Sequence, residues 1–196
     1  QGGRDASEAD ISRRRLRSYF LPPFERAARA GAMMFMTGYQ SMDGVPSTAS
    51  KWLLREVLKD EWGFPGVLVT DWDNVGRLVH EQKVAATYAD AATMAIRAGN
   101  DLIMTTPKFY EGAIEAVKSG QLKESEIDEP LKRLLALKFR MGLFENPRRP
   151  DLAKAAAEVA RPDHRAAVLD AARQSLVLLQ NDGLLPLDPA KVKTIA

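Results

Sequence analysis

The chain has 196 residues, 45% of them apolar and 28% charged, the balance of a folded globular chain of single-domain length, which excludes intrinsic disorder. With 28 Lys and Arg against 26 Asp and Glu the formal charge is only +2, and no window reads as a basic arm, so nucleic-acid binding has no electrostatic warrant. No apolar run approaches the roughly 18 to 20 residues of a membrane helix, and a chain without Cys and with only His80 and His164 has no thiolate nucleophile, Cys-type zinc site or His-rich metal centre.

Any secretory leader would precede Gln1. After a polar, Gly-rich start, Gln1-Gly2-Gly3-Arg4-Asp5, helical periodicity runs from Ser7 to Ala30 with Leu16, Phe20, Phe24 and Ala27 on one stripe. Pro22-Pro23 interrupts it, and the second piece restarts with Pro in its first turn. Ala32 to Met36 is a short continuous apolar run that predicts a buried strand, followed by a long turn-rich loop through Pro46. Ser47 or Thr48 is expected to cap a helix through Trp62, with Trp52, Leu53, Val57 and Leu58 on its apolar face and Gly63 at its end.

Gly66 to Thr70 predicts a second buried strand that runs into Asp71-Trp72-Asp73-Asn74. A helix from about Tyr88 to Ala98 closes at Gly99, Asp101 to Met104 reads as a third strand, and Phe109 to Lys118 and Glu124 to Met141 as two more helices. The strands recur roughly every 35 residues after helices that end in Gly, the rhythm of right-handed βαβ units in an α/β fold with a parallel sheet. Doubly wound sheets and (β/α)8 barrels share this rhythm. The barrel places its chemistry on loops at the C-terminal strand ends, where the unusual polar clusters fall here, so part of a barrel is the favoured reading.

From Glu145 to Arg161 the composition shifts to Pro147, Pro150 and an Ala-rich polar run, which predicts an interdomain connector. Asp163 should cap a helix to about Asn181, Asp182-Gly183 turn it, and Leu184 to Leu187 lead into a strand at Lys193 to Ala196. The expected organisation is a partial barrel over residues 1–144, a linker over 145–161 and the opening of a second domain over 162–196, within a longer polypeptide.

A carboxylate placed directly after a buried β-branched run, as Asp71 is, is held rigidly enough to serve as nucleophile or general base. An Asx-type turn or a helix cap is the alternative. Trp72 beside it offers the aromatic face that sugar pockets present to a pyranose, and Tyr39, with Met36 at the end of the first strand, can donate its hydroxyl to a carboxylate, though rim packing also explains it. Asp73 is expected to be loop solvation, Asp101 a turn or cap, His80 a solvated helix face and His164 structural. Lys132-Arg133 and Lys138 with Arg140 are expected on helix surface.

The run Leu21-Pro22-Pro23-Phe24, then Met36 to Gly44, Glu61 to Trp72 and Ala98 to Met104, in this order and spacing, resembles glycoside hydrolase family 3. The similarity continues through Met141-Gly142-Leu143-Phe144, His164-Arg165, Ser175 to Asn181 and Leu184 to Leu187, covering nearly the whole chain. The resemblance implies the C-terminal part of a (β/α)8 barrel, its last three strands and their helices, followed by the start of an α/β sandwich domain, in retaining exo-acting β-glycosidases, most of all β-glucosidases. It implies that Asp71 is the catalytic nucleophile, in a motif where Thr70 replaces the commoner Ser. Trp72, Tyr39 and Met36 then line the subsite for the terminal sugar, Arg4 lies near it, and Gln40 stands where Asn is usual. Single-domain N-acetylglucosaminidases of the family carry a second Asp after the nucleophile, and Trp72 argues against that branch.

A Lys-His pair with further sugar-gripping residues is expected before Gln1, and the general acid/base after Ala196, so the remaining parts of the same polypeptide, or complementing chains, would complete the site. The implied partner is a β-linked glucoside or short oligosaccharide, with no metal or organic cofactor. A non-catalytic carbohydrate-binding or scaffold piece of a barrel is the alternative. A lyase or aldolase would want Lys or metal ligands at strand ends, and none is there.

Overall fold

The computed structural model describes residues 5–159, 161–192 and 194. Two compact units divide the chain, Gln1–Pro147 and Arg148–Ala196. In the first, Ser12 accepts from the Arg15 amide to start a short helix α1 (Arg13–Arg15), which widens into a π-helical turn, Leu16–Phe20. Helix α2 (Pro22–Arg29) follows with Pro in its first turn, where the missing N–H costs least.

Strands β1 (Met34–Thr37) and β4 (Val67–Thr70) pair in parallel, in register from Met34↔Val67 to Thr37↔Thr70. Between them a hairpin, β2 (Ser41–Met42) and β3 (Val45–Pro46), turns at Asp43 and Gly44, whose φ of 54° and 76° are what a two-residue type I′ turn requires. β1 is not the buried strand its composition predicts. Alternation places Phe35 against Phe64, ring centroids 5.0 Å apart, and leaves Met34 and Met36 exposed on the other face.

The predicted third strand is a single bridge, Val69↔Leu102. Asp101 and Leu102 both donate to the Leu68 carbonyl, and the Met104 amide goes to the Thr70 side chain at 2.9 Å, so the backbone ladder cannot extend. Ser47 and Thr48 do not cap the next helix either. The Ser47 hydroxyl donates to Gln40 O at 2.6 Å and Thr48 faces Thr37 Oγ1 at 3.4 Å. Ser50 instead accepts from Leu53 N, and the π-helical segment Trp52–Glu61 begins there.

Helix α3 (Asn74–His80) starts immediately after the β4 loop. α4 (Tyr88–Ala98) opens on a capping box between Thr87 and Asp90 and ends at Gly99 with φ 114°. Its Ala-rich faces let it pack between α3 and α5 (Phe109–Lys118), and Gly112 permits that approach: a Cβ there would lie 2.6 Å from the Tyr88 carbonyl oxygen. α6 (Glu124–Arg140) closes the unit. Small buried clusters, such as Leu54, Leu58, Phe64 and Leu68, cover the Phe35 side of the sheet with helices. No described helix is long and apolar enough to cross a membrane.

The second unit contains α7 (Leu152–Glu158) and α8 (Pro162–Gln174). The segment read as a connector over 145–161 therefore holds a helix, because Asp151 caps it through Lys154 N and the Ala-rich run has high helix propensity. Asp163 is not the cap of α8: Arg161 occupies that position and binds the Asp163 carboxylate at 2.8 Å. α8 also ends well before Asn181. The Ser175 hydroxyl donates to Ala172 O, and the apolar run after it has no regular structure. Of the strand expected at the end, Lys193, Ile195 and Ala196 lie outside the described residues.

Candidate active site

Because β1 and β4 are in register up to Thr37↔Thr70, the chain leaves both strands at one level of the sheet edge, and the residues just beyond them meet. Asp71 is the first residue past β4 and is half-buried; its Oδ1 accepts from the Trp72 amide at 2.6 Å. That bond fixes the carboxylate, and the Trp72 side chain beside it is 60% exposed. Strand alternation carries Met36, Val69 and Asp71 on one face, with Met36 exposed.

Tyr39, two residues past β1, stands where the Asp71 carboxylate acts on its phenol. Burial and that carboxylate push the phenol up, while Arg77 pulls the other way. Thus Asp71, Trp72, Tyr39 and Met36 are brought together, whereas Arg4 lies outside the described residues.

Four residues that sequence reasoning passed over build the support. The Asn74 side chain is buried and donates to the Thr37 and Gly38 carbonyls at 3.2 and 3.0 Å. Gln82 Nε2 donates to the Tyr39 carbonyl at 3.0 Å. The Arg77 guanidinium lies 4.2 Å from the Tyr39 ring centroid and donates to Glu81 at 2.6 Å. The helical spacing of Asn74, Arg77 and Glu81 was a usable signal for a shared face; Gln82 offered none.

Four expectations change. Asp73 is more than loop solvation: it sits in the left-handed region at φ 52°, donates its amide to Thr105 O at 3.1 Å and buries Oδ1 without a partner. Gly76 makes room for that carboxylate, since a Cβ there would collide with Asp73 Oδ1. His80 is half-exposed but shares a hydrogen bond with Asp73 Oδ2 at 3.0 Å. Asp101 is neither turn nor cap; it forms a buried ion pair with Lys59 and accepts from Leu68 N at 2.9 Å, and Arg133, expected on the surface, approaches it at 4.0 Å.

A cavity of about 650 Å³ lies between α5 and α6 beneath Ile103, Phe109 and Leu134, away from Asp71. Another, of about 510 Å³, includes Met36, Gly38 and Gln40 but neither Asp71 nor Trp72. Among the described residues no three His, Cys, Asp or Glu gather as metal ligands would.

A family profile for the glycosyl hydrolase family 3 N terminal domain matches residues 1–137. A β-xylosidase of Formosa agariphila is 37% identical over 96% of this chain and 27% of its own length. A solved β-glucosidase involved in saponin metabolism from intestinal bacteria is 57% identical with a TM-score of 0.84, over 98% of this chain and 25% of that one. The β-glucosidase of Listeria innocua, solved in complex with glucose, is 36% identical with a TM-score of 0.77, over 93% of this chain and 25% of its own. The chain thus spans about a quarter of the length of the relatives it matches.

Proposed function

The chain belongs to glycosyl hydrolase family 3, and from that membership we propose that the whole protein is a retaining, exo-acting β-glycosidase, specifically a β-glucosidase, in which Asp71 is the nucleophile. One juxtaposition carries the reading: a carboxylate at the C-terminal end of a parallel strand, oriented by the Trp72 amide and flanked by an exposed indole, on the side of the sheet where Tyr39 follows the paired strand. A β-glucoside is favoured over a xyloside by the 57% identity to a β-glucosidase.

In this reading Asp71 attacks the anomeric carbon as the glycosidic C–O bond breaks, and the leaving oxygen takes a proton from an acid supplied elsewhere in the polypeptide. Water, deprotonated by the same group, then displaces the Asp71 ester and retains the β configuration. Trp72 stacks on the terminal sugar, and Met36 and Tyr39 shape its subsite, with Arg4 at its margin. No metal or organic cofactor takes part.

Residues 1–144 are read as the last three strands of a (β/α)8 barrel with their helices, 145–161 as the passage between domains, and 162–196 as the start of an α/β sandwich. Parallel pairing of β1 with β4, and a carboxylate at the C-terminal strand end, support this.

The test is a 2-deoxy-2-fluoro β-glucoside carrying a good leaving group, applied to the full-length protein. A single labelled peptide bearing the sugar on Asp71 is expected. Label on Asp73 or another carboxylate overturns the assignment, and glucose binding without turnover of an aryl β-glucoside would leave only a carbohydrate-binding role.

A further inference from the structure

Helix α3 does more than follow Asp71 in sequence; it returns to grip the neighbouring loop. Asn74 holds the Gly38 carbonyl at 3.0 Å and Gln82, just past the helix, holds the Tyr39 carbonyl at 3.0 Å. The backbone at Tyr39 is thereby pinned on both sides. What remains free is the ring, and the Arg77 guanidinium covers it at 4.2 Å from the centroid. Glu81 takes one arm of that guanidinium at 2.6 Å, so the cation is fixed to its own helix while it lies over the ring.

We infer that Arg77 is a positioning residue for the nucleophile, acting through the Tyr39 ring to hold its hydroxyl toward Asp71 and not by touching the sugar. The inference rests on the reading of Asp71 given above. A planar guanidinium suits the role because it stacks on an aromatic face while its edge hydrogen-bonds in its own plane, which an ammonium cannot reproduce. The charged groups acting on the phenol are Asp71 and Asp5, which disfavour its ionisation, and Arg77, which favours it. Removing Arg77 therefore changes both the electrostatics of the phenol and the freedom of its ring.

The experiment is a double-mutant cycle in the full-length protein with Arg77→Met, Arg77→Lys and Tyr39→Phe, read as kcat/KM on aryl β-glucosides. In the Tyr39 background Arg77→Met is expected to lower kcat/KM about tenfold, with Arg77→Lys recovering part of it; in the Tyr39→Phe background the same change should cost less than about twofold. The KM for the sugar should stay nearly constant. An undiminished loss in the Tyr39→Phe background, or a loss that grows with aglycone size, shows direct contact with substrate and overturns the inference while leaving the proposed function intact. Ultraviolet titration of the Tyr39 phenol, taken as the difference between the parent and Tyr39→Phe, gives a readout free of activity. The phenol is expected to titrate differently without Arg77. An unchanged titration overturns the inference, and a parent without hydrolytic activity overturns the function while this titration still decides the role of Arg77.

Discussion

Lys59 and Asp101 form an ion pair at 2.7 Å with both side chains only 2% exposed. Lys59 comes from the Trp52–Glu61 helix, and Asp101 stands where the third parallel segment begins and also accepts the Leu68 amide of β4 at 2.9 Å. One carboxylate thus joins a helix to two adjacent segments of the sheet, at the end remote from Asp71. Burial pushes the Lys59 ammonium down and Asp101 opposes that shift, so removing the carboxylate would leave a buried ammonium without its partner.

Asp101→Ala is accordingly expected to cost about 3 to 5 kcal/mol, because it strands a buried ammonium and orphans the Leu68 amide. Chemical denaturation of the full-length protein measures it. Catalysis at a temperature where the variant stays folded should be near normal, since the hydrogen bonds of the Asp101 carboxylate go to Lys59 and the Leu68 amide. A loss of activity without a loss of stability would place Asp101 in the site instead.

Trp72→Ala should weaken sugar binding more than it slows chemistry. An exposed indole beside Asp71 loses its water only when the sugar covers it, so its removal should raise KM and glucose inhibition constants by the equivalent of about 1 to 3 kcal/mol. Steady-state kinetics with glucose as competitor separates the effects. Unchanged KM with a large fall in kcat would contradict the stacking role.

The Glu126 carboxyl at the start of α6 is held down at about 2, through its hydrogen bond to Arg97 at 2.7 Å and then the Lys123 amide at 3.0 Å. A folded value below the ordinary 4.5 means that the native state favours the charged form. Its contribution is present above that ordinary value and is lost as the pH falls toward about 2. Denaturation midpoints of the parent and Glu126→Gln should therefore differ at about pH 6, draw together below the ordinary 4.5 and converge as the pH falls through about 2. A gap that persists or widens in acid would show that Glu126 acts otherwise.

What the sequence made legible is what local chemistry encodes. The helix from Tyr88 to Ala98 closing at Gly99 was read from the sequence, and the structure places α4 there with a left-handed glycine at its end. The position of Asp71 directly after a β-branched run was equally plain. What stayed hidden depends on partners distant along the chain: Gln82 with Tyr39 is a pair separated by 43 positions and Lys59 with Asp101 by 42, and neither period nor propensity encodes such a meeting. The exposed face of β1 was not hidden: in a partial barrel Met34 and Met36 are expected to face partners this stretch does not supply, and both stand exposed on one face of the strand.

That uncovered face bears on how residues 1–196 behave alone. Met36 is 57% exposed on the face that carries Asp71, and the run after α8 holds Leu179 at 93%. Exposed apolar side chains of this kind, in the first unit beside a strand edge, favour association. The isolated chain is expected to self-associate at micromolar concentration and to release no aglycone from an aryl β-glucoside, because in the proposed reading Asp71 would act without the acid that protonates the leaving oxygen in the first half of the reaction. Light scattering and a prolonged single-substrate assay measure both. Joining the same residues to the rest of their polypeptide should abolish the association and restore turnover together, since the surface to be covered and the site to be completed lie on one face of the sheet. A monomeric, cooperatively melting 196-residue chain that turns over the glucoside would refute this coupling.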